Sequence, residues 1–368
     1  MRGSLLHTFI NTLAFMIGAL LVPTLGFGES SDLMDARLGV APLKFDPSGQ
    51  VRNGYLHHFS NLPDIQTYAG SAGNDDKPID LEELSKKMDN PLGSLWILFM
   101  QNDTITIKGF PLKKTQTINN TLLQPILPVQ LTKDWIWVNR PVLSFMNVPT
   151  PKLNKSGEGR FPDLFPGGGP SFNDIQNRVS TEREWAFGDM IYLGMLAPAE
   201  LPDVGKGKLV WGLGPTFIFP TATKDNLGTE KWSIGPAGLA MYMDPTFKAG
   251  VLAQQWFSYA GKDNRPDVSK ANIQPLLYYS LPHLWQIGTS PNILVNWEAG
   301  SGNKWTVPVG GGINKTTLLF GKLPVRFEFT VYYAAIRPDD VGQRWDFRVN
   351  VIPVVPNLLK ALGIDTIF

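Results

Sequence analysis

Apolar and polar residues alternate along much of this chain with a period of two. In Val325-Arg326-Phe327-Glu328-Phe329-Thr330-Val331-Tyr332-Tyr333 one face reads Val, Phe, Phe, Val, Tyr and the other Arg, Glu, Thr, Tyr. Trp345-Asp346-Phe347-Arg348-Val349-Asn350-Val351 does the same. Successive side chains of a strand point to opposite faces, so each run has one apolar and one charged face. In a soluble sandwich the apolar face meets a second sheet. In a membrane barrel it meets lipid, and the charged face meets a wet lumen.

The pattern predicts strands near 94–106, 116–131, 134–147, 184–197, 208–221, 231–243, 247–260, 271–281, 285–298, 304–316, 324–336 and 344–355. Tight connections (132–133, 198–207, 244–246, 282–284 and 320–323) alternate with mostly longer, polar ones (107–115, 148–183, 222–230, 261–270, 299–303 and 337–343). Strict alternation is how a closed meander crosses a membrane, with short turns on one side and long loops on the other; a Greek-key sandwich mixes the lengths. The expected fold is therefore all-β: an antiparallel, up-and-down transmembrane β-barrel of about twelve strands over residues 93–356.

The faces assign candidate lumen residues. Arg326, Glu328, Asp346 and Arg348 lie on the charged faces of the two runs above, Asn292, Asn296 and Glu298 on the polar face of 285–298, and Lys304 opens the next strand. Their expected role is electrostatic selection along a pore, without bond chemistry. Trp135, Trp185, Trp232, Trp285, Trp297, Trp305 and Trp345 cluster near strand ends, where amphipathic rings form the aromatic girdles of a membrane barrel. Two strands fit poorly: 94–106 and 184–197 are apolar on both faces, and Asp189 interrupts the second. They are expected to pack on the N-terminal segment or on a neighbouring subunit. Pro125, Pro141, Pro215, Pro236, Pro275, Pro291 and Pro308 also fall inside strands. Proline cannot donate to a ladder, so bulges or kinks are expected there. A partial repeat at an offset of 150 residues matches Gln124-Pro125 to Gln274-Pro275 and Trp135 to Trp285, and so reuses one hairpin.

The N-terminal part reads differently. Arg2 followed by the apolar stretch Phe9–Phe27 and the small residues of Gly26-Phe27-Gly28 read as a signal peptide over 1–28. Residues 29–92 are loop-like, with one helix expected near 80–89: Asp80 caps it with Glu83 three residues on, Leu81, Leu84 and Met88 share a face, and Asn90-Pro91 ends it. This segment is either a periplasmic piece or plug at the barrel mouth, or a surface helix on a leader. A tail, 357–368, follows Pro356.

Composition narrows the chemistry. The net charge of +1 gives no reason for a nucleic-acid partner. With no cysteine, disulfides, thiolate catalysis and a lipoprotein anchor are excluded. Of the four histidines, His7 lies in the signal, His57 and His58 in the leader and His283 in a tight turn, so no metal site, cofactor or His-activated nucleophile is expected, and the chain is not expected to be an enzyme. The turn-rich loop 261–267 reads as solvated, though it is acidic enough to hold Ca²⁺ or lipopolysaccharide.

Several stretches together resemble one bacterial family: Asn90-Pro91-Leu92-Gly93-Ser94, Phe219-Pro220-Thr221-Ala222-Thr223, Leu227-Gly228-Thr229-Glu230-Lys231-Trp232-Ser233-Ile234-Gly235-Pro236, Gly261-Lys262-Asp263-Asn264-Arg265-Pro266-Asp267-Val268 and Lys304-Trp305-Thr306-Val307-Pro308-Val309-Gly310-Gly311-Gly312. They resemble the outer-membrane proteins of the MetA-pathway of phenol degradation, often mislabelled neuromedin U. The resemblance covers about residues 90–355. It implies an outer-membrane barrel of a Gram-negative cell, in contact with lipid and lipopolysaccharide, and a link to uptake of small aromatic or hydrophobic solutes. Members of that family tend to end at the last strand, and the tail here departs from that. The expected function is a passive channel; the other reading is a structural barrel whose loop 148–183 recruits a partner.

Overall fold

The computed structural model describes residues 80–109, 114–153, 179–224, 227–321 and 323–355. The expected signal peptide, residues 29–79 with His57 and His58, most of the loop 148–183 and the tail 357–368 lie outside these residues.

A short helix, α1 (Leu81–Met88), comes first. The strands follow: β1 (Ile97–Gly109), β2 (Gln116–Gln130), β3 (Trp135–Leu153), β4 (Val179–Phe187), β5 (Met190–Pro198), β6 (Asp203–Val204), β7 (Gly207–Phe219) and β8 (Lys231–Met243). The second half holds β9 (Phe247–Gly261), β10 (Ser269–Leu281), β11 (Trp285–Thr289), β12 (Ile293–Asn296), β13 (Trp305–Leu319), β14 (Leu323–Ile336) and β15 (Val341–Pro353). All pairs are antiparallel between chain neighbours, and β1 pairs with β15 from Met100–Val351 to Gly109–Val341, so the sheet closes on itself. β4 with β5 and β11 with β12 each make one stave, and β6 is a stub in a turn, so the wall is a closed barrel of twelve staves.

The two broken staves depart from the sequence reading, which ran each as one strand. Gly188-Asp189 separates β4 from β5. The Asp189 carboxylate accepts from the amides of Ala222 (3.1 Å) and Thr229 (2.6 Å) and from Thr229 Oγ1 (2.8 Å), so it pins the β7–β8 loop instead of facing lipid. Ser290-Pro291-Asn292 separates β11 from β12 and bends into the lumen: Ser290 N donates to Tyr332 Oη (3.0 Å), and Ser290 O accepts from Gln274 (3.3 Å) and Arg348 (3.1 Å). β3 and β4 are also longer than expected and stay paired out to Leu153–Val179.

The strand prolines stand where pairing lapses. The β2–β3 ladder is interrupted between Leu123–Leu143 and Leu127–Asn139, around Pro125 and Pro141. Pro215 and Pro236 face each other in an unbroken β7–β8 ladder but lie at gaps in the β5–β7 and β8–β9 ladders, Pro275 lies between the β12 and β11 pairings of β10, Pro308 sits at a register shift, and Pro291 lies in the β11–β12 break. A residue with no N–H is placed where no donor is called for.

The faces sort by parity. On β14, Arg326, Glu328, Thr330 and Tyr332 are buried while Phe329 and Tyr333 are 44% and 40% exposed. Leu143, Leu213, Ile234, Val251, Ile287 and Ile313 are likewise exposed, on the outer wall. An apolar outer belt of this extent is a poor surface for water and a good one for lipid. One outer patch is polar: Asn102, Thr104, Asn119 and Thr121, on β1 and β2, hydrogen-bond one another at 2.9–3.1 Å.

Candidate functional site

The lumen is built in layers, and the layer at the short-turn end is closed by the segment before β1. Asp80 caps α1 by accepting from the amides of Glu82 (2.9 Å) and Glu83 (3.1 Å). That leaves Leu84, Ser85 and Met88 on the buried face. Leu84, Met88, Leu92 and Leu95 pack with the inward residues Ile136, Met195, Val210, Leu239 and Leu252 of the wall. Leu92 lies so close to Gly212 on β7 that a Cβ there would meet its Cδ1. On the far wall Ser85 Oγ bonds Thr316 Oγ1 (3.1 Å). The segment therefore crosses the lumen from β13 to β7.

Asp89 fastens it. Its carboxylate meets Arg326 Nη1 at 2.8 Å and Lys248 Nζ at 2.9 Å and accepts from Gln286 Nε2 at 3.0 and 3.1 Å. Arg326 also donates to Ser85 O (3.0 Å) and Thr316 Oγ1 (3.0 Å). The side chains of Asp89, Lys248 and Arg326 are 5%, 5% and 8% exposed. Removing one partner of such an ion group leaves an uncompensated buried charge, which costs about 3–5 kcal/mol.

Above this lies a belt of polar side chains. Arg348 Nε donates to Asp103 Oδ1 (2.7 Å) and Nη2 to Asp346 Oδ2 (3.3 Å). Gln101 donates to Asp103 Oδ2 (2.7 Å), Gln124 to Gln101 Oε1 (3.2 Å) and Arg140 to Gln124 Oε1 (2.7 Å). This arc runs β15–β1–β2–β3 around the inner wall. Below it is a cavity of about 140 Å³ that touches Asp89 and Met88; above it one of about 790 Å³ reaches the long-loop residues Leu227, Asn303 and Pro338.

The expected pore residues fall into this scheme. Arg326 and Glu328 line the lower cavity, Arg348 both, and Asp346, Asn292, Asn296 and Lys304 the upper one. Glu298 is exposed in the β12–β13 loop and is not among the lining residues of either cavity. Trp135 and Trp285 stand at the short-turn rim, and Trp185, Trp232, Trp297, Trp305 and Trp345 towards the long-loop rim; all are 36–61% exposed. Trp297 meets Trp305 edge-on, with ring centroids 5.8 Å apart. Asp89, Asp103, Lys248 and Arg140 were not singled out from the sequence. Their partners lie in distant strands, and no local pattern marked them.

His283 is exposed in the β10–β11 turn, where its carbonyl accepts from Lys315. In the loop 261–267, Asp267 pairs with Lys231 (3.2 Å), and Lys262 and Arg265 pair with Glu230. The Lys231 ammonium and the Ser258 hydroxyl hold the Asp267 carboxyl below the usual carboxylate range. Among the described residues no cluster of three or more metal-ligating side chains occurs.

No family model matches the chain, and no curated protein matches it in sequence. Solved structures do. The COG4313 outer membrane channel from Pseudomonas putida F1 is 13% identical over 77% of this chain and 98% of that one, with a TM-score of 0.45. Outer membrane phospholipase A from Escherichia coli is 10% identical over 80% and 100%, with a TM-score of 0.31. The CymD monoaromatic hydrocarbon channel is 8% identical over 80% and 97%, with a TM-score of 0.33.

Proposed function

We propose that this chain is an outer-membrane channel for passive uptake of small hydrophobic or aromatic solutes, exported by its N-terminal signal and related to the MetA-pathway family that its motifs resemble. The observation that carries the reading is the inversion of the wall. Outward positions are apolar between two tryptophan rims, while inward positions carry ion pairs and amides around two cavities. In water that arrangement exposes what should be buried; in a membrane each face meets its own solvent.

In this reading Lys304, Asn292 and Asn296 lie along the upper path with Glu298 at its mouth, Arg348, Asp346 and Glu328 form the narrow belt, and Arg326 with Asp89 holds the segment before β1 as a stopper. Fractionation followed by electrophoresis of unheated and boiled samples tests the barrel. A carbonate-resistant outer-membrane band that shifts on boiling is expected, and a soluble band with no shift overturns the reading. Liposome swelling and planar-bilayer conductance then test passage. Lys304→Glu is expected to move the reversal potential towards cation selectivity; because Lys304 is only half-buried and forms no ion pair among the described residues, it is a cleaner probe than Arg326 or Arg348, whose reversal would leave like charges buried together. An unchanged reversal potential removes Lys304 from the path.

A further inference from the structure

Seven ionisable side chains line the upper cavity: Asp103, Asp189, Asp346, Arg140, Lys270, Lys304 and Arg348. The three acids are engaged, Asp103 and Asp346 by Arg348 and Asp189 by the β7–β8 loop. Among the cations only Arg348 has a carboxylate partner among the described residues. The four cations exceed the three acids by one charge, and Arg140, Lys270 and Lys304 form no ion pair among the described residues, which favours anions in a confined space.

Arg140 is the best placed of the three. Its Nη2 donates to Gln124 Oε1 at 2.7 Å, and its guanidinium lies over the Phe99 ring, 5.7 Å from the centroid. Its buried Nε has no hydrogen-bond partner among the described residues. The amides of Gln124 and Gln101 are fixed by the arc with their donors turned towards Asp103, so they hold the guanidinium in place without neutralising it locally. The wall beside Arg140 is apolar. Arg140 is registered opposite Leu193, Val142 opposite Ile191, and Ile191 opposite Ile218, and all four of these neighbours, with Leu122, line the same cavity. A rigid cation at the foot of an apolar slope matches a ligand with a planar anionic head and a hydrocarbon body.

We propose that the upper cavity binds amphiphilic carboxylates, with the carboxylate paired to Arg140 and the hydrocarbon part against Leu122, Val142, Ile191, Leu193 and Ile218. The inference rests on the channel reading for the route by which the acid enters, and sharpens its solute class from hydrophobic to hydrophobic acid. No covalent step is involved.

Calorimetric titration of the purified full-length barrel in non-ionic detergent with 3-phenylpropionate and with the neutral 3-phenyl-1-propanol tests it at a pH where the acid is ionised. The acid should bind at least about tenfold more tightly, the worth of one charge-assisted contact. Equal affinities in the wild-type protein overturn the proposal without recourse to any variant. In Arg140→Gln, checked for folding by its heat-shifted band, affinity for the acid should fall to that for the alcohol while the alcohol is held as before. Arg140→Lys should keep part of the preference. A preference retained in Arg140→Gln also overturns the assignment. Liposome swelling keeps the two readings apart: passage of neutral solutes without a preference for the acid sinks this site and leaves the channel, whereas binding of the acid without passage of any solute does the reverse.

Discussion

Asp244 shows what one side chain does at the short-turn rim. Its Oδ1 accepts from the amides of Thr246 and Phe247, both at 2.7 Å, and closes the turn between β8 and β9. Those two amides, Phe247 foremost, hold its carboxyl below the usual carboxylate range. A carboxylate whose folded pKa is depressed adds stability above its unfolded value, and loses it as the pH falls through the folded one. The boiling-shift temperature of the wild-type barrel should thus exceed that of Asp244→Asn at neutral pH, with the gap narrowing as the pH falls below about 3.9, the unfolded value; a gap independent of pH counts against this role. Arg140 makes the opposite point about legibility. Its own strand gave no usable parity, because Ile136 and Val138 on the same inner face are apolar, so nothing local marks Arg140 as a lumen residue. The repeated Gln-Pro pair did carry information: Gln124 and Gln274 both line the cavities, with the prolines in the wall.

Among elements, α1 and the residues after it were readable as a capped amphipathic helix, since capping and helical spacing are local rules. Its destination was not, because Asp89 finds Lys248 and Arg326 only in the closed barrel. The same segment explains the strands whose alternation failed. Ile97 and Phe99 of β1, and Leu193, Met195 and Ala197 of β5, turn inward onto the core that contains Leu84, Met88 and Leu92, so both of their faces are apolar. Asp89→Ala should release the segment, since it leaves Lys248 and Arg326 buried side by side without their anion. Planar-bilayer conductance should rise several-fold, and a variant lacking residues 80–92 should conduct at least as well. Conductance unchanged in both would mean that the segment does not obstruct the path.

For the whole molecule, the alternation of short turns and long loops made the closed meander legible, because loop length follows directly from which end of a barrel a connection serves. The two stave breaks were not, since Asp189 and Ser290 are held by contacts from other strands. The seam between the first and last strands is bridged from inside by Asp103 and Arg348, 2.7 Å apart. Arg348→Ala should weaken the barrel by about 3–5 kcal/mol, seen as a lower boiling-shift temperature, and Asp103→Asn should restore part of that loss in the double variant; additive losses would deny the coupling. The stopper has a further consequence, for the time course of assembly. Asp89 precedes β1, yet the strands that carry its cations are β9 and β14, and only β15 remains after them. Filling the lumen and sealing the wall thus belong to one late, long-range event. Until it occurs, inward residues such as Val210 and Leu239 have no segment to cover them. At its short-turn end the nascent barrel is then a sheet greasy on both sides, and covering it waits on the meeting of distant chain ends, a costlier closure than that of any hairpin.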